Sequence, residues 1–251
     1  FVTVALGWIA ASLFGALPFV ISKDIPSYID ALFETVSGFT TTGASILNDV
    51  EALSKGALFW RSFTHWIGGM GLIVFIVAIS KGGGRSIHVL RAEMPGPTVD
   101  KIAPRSKDTA IILYLIYVAM TAFEVIMLLL GKMPFFEALL HSFGTAGTGG
   151  FGIRNDSLAG YSPYIQWVVA VFMILFSVNF NCYYLILVGK VKNVLKDTEF
   201  LTFIGIVLAA VAAITVNVYS VYESVAASLR VAAFEVASTI STTGYSVADY
   251  N

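Results

Sequence analysis

Phe39-Thr40-Thr41-Thr42-Gly43-Ala44 decides how this chain reads, because its pattern returns as Ala146-Gly147-Thr148-Gly149-Gly150-Phe151 and again as Ile240-Ser241-Thr242-Thr243-Gly244-Tyr245. Superposing the three glycines Gly43, Gly150 and Gly244 also aligns the approach: Ala31-Leu32-Phe33-Glu34, Ala138-Leu139-Leu140-His141 and Ala232-Ala233-Phe234-Glu235. The exit aligns too, with Asn48-Asp49, Asn155-Asp156 and Asp249 five or six residues past each glycine. Chance likeness between apolar segments would not hold register on both sides of a motif, so the chain carries an internal repeat.

Of the 251 residues 57% are hydrophobic and 12% charged, and the mean hydropathy of +0.81 is more than a soluble domain can solvate. The sequence is that of a membrane protein whose first partner is the lipid bilayer. A net charge of -1 selects no further class of partner, and nothing in it calls for nucleic acid. The single cysteine, Cys182, excludes an internal disulfide and a Cys metal cluster, and reads as a small apolar packing residue. Residues 1 to 21 read as a span and not as a cleavable leader, since no basic stretch precedes them; the chain opens within hydrophobic sequence, as a fragment would.

A helix needs about 20 apolar residues to cross the hydrocarbon core. Five segments qualify, roughly 1 to 21, 57 to 80, 109 to 131, 164 to 188 and 200 to 221. Two shorter runs, Tyr28 to Phe39 and Phe135 to Ala146, lead into the first two motifs and are suited to re-entrant helices; Pro26 and Pro134 stand near their starts, where a missing N–H costs little. In the third copy Ser224 takes the N-cap position instead.

Connector 81–107 carries Lys81, Arg85, Arg91, Lys101, Arg105 and Lys107, and connector 189–199 carries Lys190, Lys192 and Lys196. By the positive-inside rule both connectors are cytoplasmic, and the motifs open to the outside beside Asp24, Asp49, Glu51, Asp156, Glu223 and Asp249. That acidic rim either raises local cation concentration or is an ordinary solvated surface. The expected organisation is repeat 1 over 1–80, a connector over 81–107, repeat 2 over 108–188, a connector over 189–199 and an incomplete repeat 3 over 200–251. The fold class is then an all-α integral membrane protein, with units of span, re-entrant pore helix, filter turn and span set pseudo-fourfold around one pore.

Such a unit suits a cation path. Removing water from a cation at membrane depth is tolerable only if oxygens replace its hydration shell, and converging backbone carbonyls do this. Gly43, Gly150 and Gly244 supply torsions that a Cβ would resist, and each short helix ends at its motif with the negative end of its dipole toward the axis. The threonines Thr41, Thr148 and Thr242 offer hydroxyls to an ion or to neighbouring backbone. The candidate cation-binding filter set is therefore Thr41, Thr42, Gly43, Thr148, Gly149, Gly150, Thr242, Thr243 and Gly244, with no catalytic residue, no cofactor and no metal beyond the transported cation.

Other residues are less decisive. Glu34, His141 and Glu235 share one repeat position and suggest packing behind the turns. His65 and Trp66 look pore-lining or interfacial, and Glu124 within a span is either functional or a hydrogen-bonded structural carboxylate. Gly68, Gly69 and Gly71 allow close helix approach. Asn179 and Asn181 place two amides mid-membrane, where they line water or bond neighbouring helices.

At four places the sequence resembles the TrkH, TrkG and KtrB family of potassium uptake proteins: Ser37-Gly38-Phe39-Thr40-Thr41-Thr42-Gly43-Ala44; Phe59-Trp60-Arg61-Ser62 followed by His65-Trp66-Ile67-Gly68-Gly69-Met70-Gly71; Arg91-Ala92-Glu93-Met94-Pro95-Gly96-Pro97; and Thr242-Thr243-Gly244-Tyr245. The resemblance runs along essentially the whole chain, and the Arg91 to Pro97 segment makes it closer to TrkH than to KtrB. It implies four repeats around one pore, a homodimer in the plasma membrane, and gating by a cytoplasmic nucleotide-binding subunit related to TrkA or KtrA. The family's filter glycines match Gly43, Gly150 and Gly244. Measured against that pattern the sequence stops after the third turn, so a second span for repeat 3, with the family's gating loop, and a fourth repeat are expected beyond Asn251.

Two other classes compete with potassium uptake. A cation-coupled secondary transporter built on broken helices predicts inverted repeats, whereas these copies run in one direction. An intramembrane enzyme would need a convergent acid, base or nucleophile, and His65, Glu124 and His141 lie on different segments with no motif joining them.

Overall fold

The computed structural model describes residues 2–71 and 106–248. Most of connector 81–107, including the Arg91 to Pro97 motif, lies outside the described residues, as do Asp249 and the part of the expected 57–80 span beyond Gly71. Among the described residues the structure is all helical.

The chain opens with α1 (Val2–Gly15) and α2 (Leu17–Ser22), which together form an apolar stretch over Ala5–Ser22, interrupted where Pro18 begins α2. Then come the short α3 (Tyr28–Phe39) and α4 (Lys55–Gly69). The second set repeats this order with α5 (Ser106–Leu130), the short α6 (Phe135–Ala146) and α7 (Pro163–Ser177). After α8 (Phe180–Leu187) and α9 (Val191–Val194), a third set begins with α10 (Thr198–Tyr222) and α11 (Val225–Ile240). At 25 residues each, α5 and α10 are about 37 Å long, and both are long and apolar enough to cross a core about 30 Å thick. Helices α3 and α6 have 12 residues each and do not.

Local chemistry sets the boundaries. Ser27, Ser54 and Ser162 cap α3, α4 and α7, each accepting the backbone N–H three residues on. Pro134 is the N-cap of α6. Ser224 does occupy the N-cap position of α11, but its side chain makes no capping bond.

One expected span requires correction. Helices α4 and α7, which follow the first two Thr/Gly turns, are each 15 residues long, about 22 Å, and the rest of the expected 57–80 span lies outside the described residues. The stretch 164–188 is not one rod: the chain bends by 89° between α7 and α8. Asn179 makes that bend, accepting the Asn181 N–H at 3.0 Å and reaching Glu199 with its amide. It is the N-cap of α8, and its amide bonds a neighbouring helix, one of the two roles expected of it.

One packing relation recurs. Each short helix rests on the long helix before it, α3 on α1, α6 on α5 and α11 on α10. Each of the second and third also rests on the post-turn helix of the preceding repeat, α6 on α4 and α11 on α7. The buried centre joins Tyr117, Leu128, Val169, Phe172, Met173, Phe234 and Tyr245, from α5, α7, α11 and the residue after the third motif glycine. The outer faces of α1, α5 and α10 stay apolar and exposed, as lipid contact requires.

Candidate functional site: three interlocked Thr/Gly turns

Helices α3, α6 and α11 all end in the same way. The N–H of Thr41 bonds to Gly38 O and that of Thr42 to Ser37 O; Thr148 and Gly149 repeat this with Thr145 and Gly144, and Thr242 and Thr243 with Thr239 and Ser238, all at 2.9–3.2 Å. This is the Schellman termination, which satisfies two otherwise orphaned carbonyls and puts the residue after the cap in the left-handed region. That position normally belongs to glycine, yet here it holds threonine three times, with φ of 53° at Thr41, 52° at Thr148 and 59° at Thr242. A β-branched residue there is strained, and strain recurring at one repeat position marks a site.

Two residues on, the chain turns left-handed again, with φ of 75° at Gly43, 70° at Gly150 and 84° at Gly244. Thr42, Gly149 and Thr243, between the left-handed pairs, do not. All nine candidate residues named from the sequence sit in these turns.

The turns are also brought together. A Cβ on Gly43 would collide with Gly149 O, and one on Gly150 with Thr243 O, so the second turn stands between the first and third, backbone against backbone. Among the described residues nothing lies within 4 Å of such a Cβ on Gly244.

Behind the turns, side chains fix the strands that leave them. Buried Glu34 accepts from Ser45 Oγ at 2.9 Å and from the Ile46 N–H at 3.2 Å. Glu235 does the same one repeat pair later, accepting from Ser246 Oγ at 3.2 Å and the Val247 N–H at 2.9 Å. His141, at the matching position, is buried and instead meets Tyr161 Oη at 3.2 Å. Arg61 of α4 donates through Nε to Glu34 at 2.5 Å and through Nη1 to Gly152 O at 2.9 Å, joining the first repeat to the second. Tyr245 Oη stands 3.3 Å from both His141 O and Phe151 O, joining the third to the second.

His65 and Trp66 do not line a pore. His65 is fully buried, stacked on Phe151 with ring centroids 4.0 Å apart, and Trp66 packs among Phe63, Tyr117 and Phe143 while donating to Thr121. Glu124 is fully buried on α5, beside Thr145, and among the described residues neither carboxylate oxygen has a partner in good hydrogen-bond geometry. Two of the turns carry a hydroxyl pair, Thr40 with Thr42 at 2.8 Å and Ser241 with Thr243 at 2.6 Å.

On the loop side the rim is clasped. Asn155 Oδ1 accepts the Val50 N–H at 2.9 Å, and its amide donates to Asp49 at 2.8 Å. The Asn155 amide, followed by the Glu51 N–H, holds the Asp49 carboxyl below its ordinary value of 3.8.

Residues 1–251, the whole length, match the family model TrkH, described as a cation transport protein. The chain belongs to the TrkH family. It is 39% identical to the Trk system potassium uptake protein TrkH of Salmonella typhimurium over 98% of this chain and 52% of that protein. The potassium uptake protein TrkG of Escherichia coli K12 is 33% identical over 88% of this chain and 47% of its own. The crystal structure of the potassium transporter TrkH from Vibrio parahaemolyticus shares the fold with a TM-score of 0.83 at 30% identity, over 98% of this chain and 51% of that one. The chain thus spans about half the length of the relatives it matches, and those relatives are named as transporters and not as enzymes.

Proposed function

We propose that this TrkH-family chain supplies three quadrants of a potassium-selective pore, and that its three Thr/Gly turns are the filter. The observation that carries this reading is the stacking of three left-handed turns, Gly43 against Gly149 and Gly150 against Thr243, each at the C-terminal end of a short helix. Their carbonyls replace the hydration shell of an ion, and three helix ends add negative partial charge. A fourth quadrant comes from the part of such a protein that this chain does not span.

Potassium is the substrate, and the site calls for no cofactor. The membrane is the plasma membrane, with the turns opening outward and Lys190, Lys192 and Lys196 on the cytoplasmic side. A homodimer and a cytoplasmic nucleotide-binding subunit like TrkA complete the assembly. Copies that repeat in one direction favour this pore over an inverted-repeat symporter.

The test is a potassium-to-sodium permeability ratio for the complete transporter in liposomes. A ratio well above one that falls in Gly43→Ser supports the reading. A ratio of one, or a driven flux that requires a proton gradient, contradicts it.

A further inference from the structure

The second turn lacks what braces the other two. In the first, Thr40 and Thr42 pair their hydroxyls; in the third, Ser241 and Thr243 do. The matching residues of the second are Gly147 and Gly149, which have no side chain to pair. The first and third also use a Glu at the position of His141 and a Ser at that of Gly152, and the second has neither.

What stands there instead comes from α4. A Cβ on Gly149 would have the His65 ring as its three nearest atoms, and a Cβ on Gly147 would strike the His65 backbone. The ring therefore fills the space left open by the missing side chains. It is fully buried, and its Nδ1 accepts the Phe151 N–H at 3.4 Å, just past Gly150. Arg61, one turn earlier on the same face of α4, lies over the Phe151 ring at 3.6 Å. Two planar groups this close to one ring cannot share a face, so Phe151 is held between Arg61 and His65.

We infer that His65 is a positioning residue for ion selectivity: it braces the second turn from another repeat, doing there what paired hydroxyls do within the first and third. It fixes the Phe151 amide and so the orientation of the Gly150 carbonyl, with the glycine at 149 as its necessary complement. This inference rests on reading the turns as a filter.

The experiment measures the potassium-to-sodium permeability ratio of the complete transporter in liposomes. His65→Leu keeps bulk but removes the acceptor; His65→Asn keeps an acceptor near the Nδ1 position; Gly244→Ala is the control on the filter reading. Losing one hydrogen bond at this amide is expected to lower the ratio about tenfold in His65→Leu, with His65→Asn retaining most of it and total flux changing less than the ratio. If Gly244→Ala lowers the ratio while His65→Leu and His65→Asn both match wild type, or fail equally, the positioning role is overturned and the filter stands. If none of the three changes it, the filter reading falls and takes this role with it. Should His65→Leu insert poorly, His65→Ala, Gly149→Thr and their combination give an independent measure. A double variant more selective than either single supports the complementarity of the two positions, and additive losses overturn it.

Discussion

The carbonyl of Gly149 occupies the place where a Cβ on Gly43 would stand, so two segments more than a hundred residues apart meet with no side chain between them. The same relation holds between Thr243 and Gly150. At both glycines a side chain meets torsional strain of about 1–2 kcal/mol and also backbone, adding about 1–3 kcal/mol of overpacking. Gly43→Ser and Gly150→Ser should therefore lower both folded yield and selectivity, as read by size-exclusion profile and permeability ratio.

Threonine at the left-handed cap position is the second point of strain. Thr148→Gly removes an unfavourable Cβ contact worth about 1–2 kcal/mol, offset by about 0.5–1 kcal/mol of added chain entropy. The transporter should keep or slightly gain thermal stability while losing potassium selectivity. A fall in melting temperature with unchanged selectivity would assign Thr148 a packing role alone.

Glu34 and Arg61 are both buried, and Arg61 also holds Gly152. Breaking one side of a buried pair costs about 3–5 kcal/mol. Arg61→Met should therefore sharply reduce detergent-stable protein, and the combined Arg61→Met and Glu34→Gln should recover part of it, since no uncompensated carboxylate stays behind. Thermal midpoints of the two variants against the unchanged protein check this.

How much of this was legible in advance depends on how local the cause is. The repeat, the short helices and the glycines showed in the sequence because each is set within a few residues: a serine cap, an apolar run, a Gly at a fixed offset. The break at Asn179 was missed because hydropathy runs on through Phe180 and Leu187, and only the Asn179 capping bond reveals the bend. The left-handed threonines gave no composition signal, since glycine is the usual sign of that torsion. The role of His65 was hidden in another repeat. The Thr-Gly-Gly spelling of the second motif, against Thr-Thr-Gly in the others, was its one trace.

Acid should loosen the rim. Asp49 has a folded-state pKa below 3.8, so its clasp with Asn155 is fully present above that value and is lost as pH falls through the lower, folded one. Backbone amide exchange at Val50, taken relative to its falling intrinsic rate, should rise as pH drops below 3.8. In Asp49→Ala the extra rise should vanish, and its persistence would place the acid response elsewhere.

The central claim is that carbonyls of the three Thr/Gly turns bind potassium. Crystals of the complete transporter grown in rubidium, recorded at the rubidium absorption edge, test it most directly. The account predicts anomalous density between the carbonyls of Thr42, Gly149 and Thr243 and the glycines that follow them. Density confined to other parts of the molecule, with the space between these turns empty of rubidium, would contradict it.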